Sequence, residues 1–288
     1  MKVRYAKKSE KEIAIKFWKD SFKDNEEQIK FYFDSIYNEK NYLVLEDNSK
    51  IVSSLHENDY IFNFNNNSLK SKYIVGISSD ITMRNKGYMS KLLISMLKNS
   101  KRKGLPFVFL TPINPKIYRK FGFEYFSNIE YYNFSVEELT NFKLPKENYS
   151  YIEINEENKN LYLNDLIKIY NFNMKDNFCY LERDKFYFDK ILKEAISDEM
   201  KAFILYKDKK ASAYIILGLY EENIEIRECM ALDSISYKEI LTLIYGYRDY
   251  YKNVSLASPN NSSIEFLFDN QLNIEKNVKP FMMMRVLN

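Results

Sequence analysis

Residues 72–126 constrain the fold more than any other part of the chain. Positions 73–79 are rich in β-branched and apolar residues, which predicts a strand. A short polar loop follows, and a helix is then indicated by apolar side chains at helical spacing: Met89, Leu92, Leu93, Met96 and Leu97. Gly104 and Pro106 end this helix, and residues 107–110 are typical of a short buried strand. The stretch therefore predicts a strand–loop–helix–strand unit.

The loop between the first strand and the helix has the composition of an anion site. A strand that turns directly into a helix points backbone N–H groups and the positive end of the helix dipole at one spot. Gly87 lets the backbone approach a ligand closely, and Arg84 and Lys86 add positive charge. The loop predicts a phosphate or pyrophosphate site. A basic turn that binds nothing is an equal alternative from the loop alone, because short Gly motifs often match by chance.

A second motif, Tyr118-Arg119-Lys120-Phe121-Gly122-Phe123, follows the second strand. Arg-x-x-Gly after a strand, with Tyr-x-Lys-x-Gly-Phe further along, resembles the acyl-CoA site of the GNAT superfamily of acetyltransferases. Each motif is weak alone. The two in this order, on these predicted elements, are fairly specific.

The resemblance implies a role for each matching residue. In that family the loop holds the CoA pyrophosphate, and the preceding strand splays so that its free amides hold the pantetheine arm. A tyrosine protonates the thiol sulfur as it leaves, and Tyr118 matches it. Acetyl-CoA is the implied co-substrate, with no metal. The implied acetyl-CoA-binding residues are Ile77, Ser78, Ser79, Arg84, Asn85, Lys86, Gly87, Tyr88 and Met89.

Met89 departs from the usual family pattern, which has Gly or Ala two residues after the loop glycine. The Gly-x-Met form and residues 117–123 look like the Eis-like (enhanced intracellular survival) branch, as do residues 169–188 and 280–286. Full-length members of that branch carry a third, sterol-carrier-like domain, whose C-terminal carboxylate acts as a base. This chain is expected to lack that domain, and the role is not carried over to the Asn288 carboxylate.

The order of predicted elements repeats along the chain. Strand, two helices, three strands, helix and further strands occur in both halves, but the second half lacks both motifs. We therefore predict an α/β (α+β) protein with two tandem GNAT-like domains, each a mixed, mostly antiparallel sheet flanked by helices. Residues 1–145 form the predicted acetyl-CoA-binding domain and residues 146–288 a degenerate copy. The polar segment 143–148 is the predicted linker.

Several elements are specific enough to be compared with a structure. A capping box of Ser9 and Glu12 predicts a helix that runs to about Phe22. Residues 50–57 and 60–64 are predicted as separate strands, and residues 129–134 as the strand that closes the first sheet. In the second half, strands are predicted at residues 264–267 and 280–287.

Composition excludes several classes of function. The net charge is only +3 with the charges interspersed, which does not favour a nucleic-acid partner. No apolar run reaches the ~18 residues that span a bilayer, so no membrane partner is expected. Two cysteines, Cys179 and Cys229, favour reduced core residues and a cytoplasmic location. A single histidine excludes a His-cluster zinc site. The sequence leaves a homo-oligomer open.

The general base and the acceptor are left open. His56, Glu57 and Asp80 are rival base candidates, with His56 favoured as a structural residue. Acidic residues near the first two helices could attract a cationic amine, although a solvated helix junction is the simpler interpretation for most of them: Asp20, Asp24, Glu26 and Glu27.

The predicted function is transfer of an acetyl group from acetyl-CoA to a primary amine of a small molecule or of a lysine side chain in a peptide. Three alternatives stay open. The chain could be a non-catalytic acyl-CoA-binding protein. It could be a tRNA-dependent aminoacyl transferase of the tandem-GNAT type, which would not need the pyrophosphate loop. It could also be a structural protein in which both motifs are coincidence.

Overall fold

The structure is a computed structural model that describes residues 1–142, 148–259 and 263–287. Of the predicted linker, residues 143–147 lie outside the described residues, as does Asn288. Contacts between Cα atoms divide the chain into two compact units. The first unit comprises Met1–Ser127, Phe178–Glu182 and Phe281–Asn288, and the second unit comprises Asn128–Asn177 and Arg183–Pro280. This division differs from the predicted boundary between residues 145 and 146.

The regular elements alternate between strands and helices along the chain. The described strands are β1 (Lys2–Tyr5), β2 (Tyr42–Asp47), β3 (Lys50–Phe64), β4 (Asn67–Ser79), β5 (Phe107–Leu110), β6 (Glu124–Ser135), β7 (Tyr149–Ile154), β8 (Cys179–Leu181), β9 (Lys201–Lys207), β10 (Lys210–Tyr220), β11 (Asn223–Ala231), β12 (Asn253–Pro259) and β13 (Glu275–Val286). The described α-helices are α1 (Lys11–Lys19), α2 (Glu26–Ser35), α3 (Tyr88–Arg102), α4 (Pro115–Arg119), α5 (Leu163–Met174), α6 (Lys185–Ser197) and α7 (Ser234–Tyr245).

The first unit is built on a sheet in which β1, β2, β3 and β4 pair antiparallel in that order. β5 is parallel to β4, and residues 283–286 of β13 are antiparallel to β5. Successive side chains alternate between the two faces. Tyr42 and Val44 pack with α1 and α2, whereas Leu43 and Leu45 pack with α3 on the opposite face. The sheet is therefore covered by helices on both sides.

The second unit has the same kind of architecture. β7, β9, β10 and β11 pair antiparallel, β12 is parallel to β11, and β6 is antiparallel to β12. Side chains from α7 and from the strands form one large apolar core. Each unit is thus a mixed, mostly antiparallel sheet with flanking helices, which confirms the predicted fold class.

The observed strands differ from the predicted ones in bounds, pairing or type, although residues 280–286 form a strand, as predicted. β3 runs unbroken through residues 58 and 59, where a break was predicted. Residues 129–135 pair with β12 of the second unit, and residues 283–286 pair with β5 of the first unit. Residues 264–267 form a 3₁₀ helix, since a short apolar run does not distinguish strand from helical turn. β8, which pairs with the end of β3, was not predicted.

The start of α1 also differs from the prediction. The Lys7 backbone N–H donates to Glu10 Oε2 at 2.7 Å, and Arg4 holds the same carboxylate at 2.8 Å. This contact belongs to a 3₁₀ turn, Lys8–Glu10, and α1 follows from Lys11 to Lys19. The Glu10 carboxylate, rather than the predicted pair of Ser9 and Glu12, therefore makes the capping contact, at the turn that leads into α1.

An aromatic cluster on the α1 and α2 face of the first unit surrounds the only histidine of the chain. Five rings have their centroids 4.5–5.9 Å from that of His56, namely those of Trp18, Tyr32, Phe33, Tyr37 and Tyr42. Gly76 of β4 lies under this cluster with φ +63°, at an irregularity in the β3–β4 register. A Cβ at Gly76 would lie 2.6 Å from Trp18 Cζ3 and 2.9 Å from His56 Cδ2. The bulge and the cluster therefore both require glycine at this position.

We expect Gly76→Ala to destabilise the protein more than Gly104→Ala does. Both glycines have positive φ, but a Cβ at Gly104 meets nothing within 4 Å. The backbone strain should cost about 1–2 kcal/mol at either position. Overpacking against Trp18 should add about 1–3 kcal/mol at position 76 alone. Urea denaturation of the two variants measures the difference, and equal losses would contradict it.

Candidate active site

β4 and β5 diverge within the first unit. They pair in parallel only at Lys72 with Val108 and at Tyr73 with Phe109, although β4 continues to Ser79. Beyond Tyr73, β4 keeps its antiparallel pairing with β3 up to the pair of Ser79 and Ser53. In the described part of the chain, the side of β4 that faces away from β3 therefore has no ladder partner from residue 74 onward.

The direction of the amides along this open edge follows from one hydrogen bond. The Asp80 N–H donates to the Val52 carbonyl of β3 at 3.0 Å. Successive N–H groups along a strand alternate in direction, so those of Ser79 and Ile77 face away from β3, toward the gap. Ser78 is directed the other way: its carbonyl accepts from Ser53 Oγ at 2.7 Å, and its hydroxyl contacts Ser54 Oγ at 3.1 Å. Of the three predicted strand residues, Ile77 and Ser79 thus face the open edge.

The loop after β4 leads into α3 without a side-chain cap. The N-cap is Gly87, with φ +76° and no side-chain hydrogen bond, and Asn85 also has positive φ at 64°. The Lys91 N–H is the one that donates back to the Gly87 carbonyl. The preceding N–H groups of the first turn, at residues 88–90, are therefore left to solvent or a ligand.

The charged residues of the loop surround this helix end. Arg84, Asn85 and Lys86 are exposed, and Arg84 has no hydrogen bond or ion pair to any described residue. A Cβ at Gly87 would meet nothing within 4 Å, so the space next to the helix end is open. Free amides, a helix dipole and an unpaired guanidinium are the groups that bind a pyrophosphate.

Tyr88 and Met89 expose only their backbone at this helix end. The Tyr88 ring is buried, and its hydroxyl donates to Asp47 Oδ2 at 2.9 Å. The Met89 side chain packs against the core under α3. Both side chains are therefore directed into the first unit, while their N–H groups stay in the exposed first turn.

The short helix α4 positions Tyr118. Asn114 Oδ1 accepts from the Lys116 N–H at 3.0 Å, and Pro115 occupies the first helical position. Gly122, with φ +78°, ends the helix. Phe123 is 1% exposed, and its ring contacts that of Tyr118 with centroids 6.1 Å apart. The Tyr-x-Lys-x-Gly-Phe motif thus comprises the end of a helical turn, the glycine that terminates it and a buried phenylalanine that fixes Tyr118 in place.

Tyr118 itself is buried, and its hydroxyl makes no hydrogen bond to a described residue. Burial, with a smaller contribution from Tyr73, raises the pKa of Tyr118 above its ordinary value. The phenol therefore stays protonated at neutral pH and is available as a hydrogen-bond donor.

The three candidate bases are all engaged by neighbouring groups. Burial among the aromatic rings lowers the pKa of His56 to about 3. Glu57 is 1% exposed on the α3 face of the sheet, where the Tyr5 hydroxyl donates to it at 2.8 Å, and burial raises the pKa of this carboxyl. Asp80 Oδ2 lies 2.7 Å from Lys50 Nζ, and Asp80 Oδ1 accepts from the Thr82 N–H. Both contacts hold the pKa of Asp80 well below its usual value. The arrangement supports the structural interpretation of His56 and assigns no base.

Three of the four acidic residues near α1 and α2 are engaged by contacts within the first unit. Lys16 pairs with Asp20, and Lys19 pairs with Glu26 at 2.7 Å. The Trp18 indole N–H donates to Asp24 Oδ2 at 2.7 Å. These contacts favour the interpretation as a helix junction over an acidic funnel for cations.

The helix of the second unit that connects β11 to β12, α7, has a different N-terminus from that of α3. The N-cap of α7 is Asp233, whose Oδ1 accepts from the Ser236 N–H at 2.7 Å. A carboxylate therefore stands where α3 leaves its first turn free. An anion would be repelled at this position, so the N-terminus of α7 does not offer the free amides and the open positive end that α3 has.

Two family profiles match the chain, and both are described as an acetyltransferase (GNAT) domain. One covers residues 2–126 and the other residues 179–286. The chain therefore belongs to the GNAT superfamily and carries two GNAT domains in tandem, as the motifs of the first half and the repeated order of elements predicted. A search of the curated proteins found no match.

Solved structures support the same fold. A probable N-acyltransferase from Enterococcus faecalis V583 superposes with a TM-score of 0.84 at 16% identity, over 99% of this chain and 72% of that one. A GCN5-related N-acetyltransferase from Anabaena variabilis gives 0.80 at 16% identity, over 100% and 73%. Eis1 from Mycobacterium abscessus gives 0.74 at 11% identity, over 100% and 74%. The tandem arrangement thus fits the Eis-like branch.

The described residues contain neither a membrane-spanning helix nor a cluster of metal-ligand side chains. No helix among them is long and apolar enough to cross a membrane. No group of three or more His, Cys, Asp and Glu side chains within residues 1–142, 148–259 and 263–287 could hold a metal ion.

The sequence analysis did not identify one feature near the site, the bulge at Gly76. An isolated glycine inside a strand pattern is the signal that predicts such a bulge.

We expect His56 to stay neutral in the folded protein well below pH 6. Its pKa is about 3 in the folded protein, whereas an unperturbed histidine side chain has a pKa of about 6.5. Only the unfolded state binds the proton between these values, so His56 destabilises the fold as the pH falls. Between pH 7 and pH 5 the loss should be about 2 kcal/mol.

The chain has one histidine, so the effect can be isolated with His56→Phe, which keeps an aromatic ring. The free energy of unfolding of the wild type should fall more steeply between pH 7 and pH 5 than that of the variant. Nuclear magnetic resonance of the single imidazole measures the titration directly. A midpoint near pH 6.5 in the folded protein would contradict the buried, neutral assignment.

Proposed function

We propose that the first unit is an N-acetyltransferase that moves an acetyl group from acetyl-CoA to a primary amine of a small molecule or of a lysine side chain. The observation that carries the proposal is the combination of an uncapped α3 N-terminus with a gap between β4 and β5. Both features lie in the unit that matches the first GNAT profile. The second unit would serve no catalytic role of its own.

The donor would lie along the open edge of β4. Its pyrophosphate would be bound by the free N–H groups of residues 88–90, with Arg84 and Lys86 as counter-charges. Gly87 would allow the phosphate close to the backbone. The pantetheine arm would run through the gap, where the outward amides of Ile77 and Ser79 resemble a missing β-strand partner.

The chemistry requires two proton movements. The amine nitrogen, once neutral, attacks the thioester carbonyl, and the C–S bond breaks as the amide forms. A strand amide would stabilise the oxyanion that develops on the carbonyl. The departing thiolate takes a proton, for which the Tyr118 hydroxyl is the donor. No side chain is assigned as the base, so the proton of the ammonium leaves through water.

The role of Tyr118 is limited by the acidities involved. An unperturbed phenol has a pKa of about 10 and a thiol about 8.5, and burial raises that of Tyr118 further. Tyr118 would act mainly as a positioned hydrogen-bond donor to the sulfur. Its motif holds it rigidly between the cap at Asn114 and the anchor at Phe123.

Arg84→Ala should weaken acetyl-CoA binding by about tenfold or more, because a hydrogen bond to a charged group contributes about 1.5–3 kcal/mol. Calorimetric titration of the full chain measures the change. Arg102→Ala is the matched control, since Arg102 is also exposed and unpaired among the described residues but lies at the far end of α3. Absence of acetyl-CoA binding to the wild type would refute the proposed function.

Tyr118→Phe should lower kcat by about a hundredfold or more with little change in acetyl-CoA affinity. The hydroxyl has no partner among the described residues, so the free energy of unfolding should not fall. Release of free thiol with a panel of amines measures turnover. Wild-type turnover in this variant would remove the assigned role, and binding without turnover of any amine would favour an acyl-CoA-binding protein.

A further inference from the structure

Asp80 lies between the two parts of the candidate acetyl-CoA site. It directly follows β4, whose open edge carries the amides of Ile77 and Ser79. It precedes Arg84 and the free first turn of α3. A contact that holds residue 80 in place therefore also influences the distance between the open edge and the helix end.

The backbone of Asp80 is hydrogen-bonded in both directions. Its N–H donates to the Val52 carbonyl of β3 at 3.0 Å, and its carbonyl accepts from the Met83 N–H at 2.9 Å. The second bond closes a 3₁₀ turn, Ile81–Met83, and the Met83 side chain packs against the core under α3. The chain thus leaves β4 through one closed turn before it reaches the loop of residues 84–87.

The two oxygens of the Asp80 carboxylate make different contacts. Oδ1 accepts from the Thr82 N–H at 2.9 Å and from the Thr82 hydroxyl at 2.6 Å. Oδ2 lies 2.7 Å from Nζ of Lys50, the first residue of β3. The side chain of Asp80 is 15% exposed, whereas that of Lys50 is 59% exposed. The bonds to Thr82 should therefore contribute more than the ion pair, because water and salt screen an exposed pair.

These contacts make Asp80 a poor proton acceptor. Lys50 and the two groups of Thr82 hold the pKa of this carboxyl well below its usual value. An efficient general base has a pKa near the working pH. Asp80 is thus better suited to hold the turn in one conformation than to take a proton from the amine.

A ligand that spans both parts of the site is sensitive to the distance between them. Its pantetheine arm would contact the open edge of β4, and its pyrophosphate would contact the first turn of α3. Once one part is bound, the strength of the second contact depends on whether the geometry allows both at the same time. A displaced turn would therefore weaken the whole ligand, while a fragment that uses only one part would bind as before.

We propose that Asp80 is a positioning residue for acetyl-CoA. Its carboxylate, bonded to Thr82 and Lys50, sets the spacing between the open edge of β4 and the free first turn of α3. The proposal rests on the proposed function, and it assigns to Asp80 a role other than that of a general base. Binding of intact acetyl-CoA depends on Asp80, and binding of a pyrophosphate fragment does not.

Asp80→Ala removes both side-chain contacts. It should weaken acetyl-CoA binding by about tenfold or more. Binding of ADP, which carries a pyrophosphate without the pantetheine arm, should stay unchanged. The KM for acetyl-CoA should rise, while kcat at saturating acetyl-CoA falls by less than about twofold. Calorimetric titration of the full chain, with ADP as a competitor, measures the affinities, and thiol release measures turnover.

Asp80→Asn separates the positioning role from that of a base. The amide oxygen can still accept from Thr82, but the ion pair with Lys50 is lost. The affinity for acetyl-CoA should fall by about twofold or less, as in Lys50→Met, and high salt should abolish this difference from the wild type. The value of kcat should be retained. A large fall in kcat for Asp80→Asn would indicate a base and overturn the positioning role.

Asp233→Ala is the matched control. Asp233 caps α7 by accepting from the Ser236 N–H at 2.7 Å, so its loss should destabilise the chain in a similar way without changing acetyl-CoA affinity. Wild-type affinity for acetyl-CoA in Asp80→Ala, or an equal loss for acetyl-CoA and ADP, would overturn the proposal and leave the proposed function intact. Absence of acetyl-CoA binding to the wild type would overturn both.

Discussion

The divergence of β4 from β5 after Tyr73 is the constraint on which the candidate site depends. Two residue pairs hold these strands together, while β3 pairs with β4 over almost its whole length. The strand therefore stays extended while one edge loses its ladder partner. Unpaired backbone amides have a cost if they are buried, so an edge of this kind is stable only where water or a ligand can reach it.

The bulge at Gly76 and the aromatic cluster maintain this geometry from the other side of β4. The register shift redirects the strand immediately before Ile77, and the rings of Trp18 and His56 fill the space that a side chain at position 76 would need. A bulge changes the twist of a strand locally. The aromatic packing around His56 thus supports the bulge in β4. This role explains why the only histidine of the chain is buried and has a pKa well below its ordinary value.

The sequence predicted those features that depend on neighbours along the chain. The Gly87 turn, the helix after it and the turn that carries Tyr118 are local, and each has its own signal in propensity or capping. Strand partners are not local. Nothing in residues 178–182 or 283–286 indicates that they pair with β3 and β5, and nothing in residues 129–134 indicates pairing with β12.

The N-termini of α3 and α7 differ by one residue type at the helix start, and this difference decides whether the first turn can bind an anion. The second unit keeps the parallel β11–β12 pair, which ends at Ile226 although β11 continues to Ala231. It also keeps a register shift, between Ile216 and Leu217 on β10. What differs is the residue at the helix start, Gly87 in one unit and Asp233 in the other. The Asp233 carboxylate accepts from the Ser236 N–H and would repel a phosphate. It therefore stabilises the start of α7 by about 1 kcal/mol and makes that helix end unsuitable for an anion at the same time.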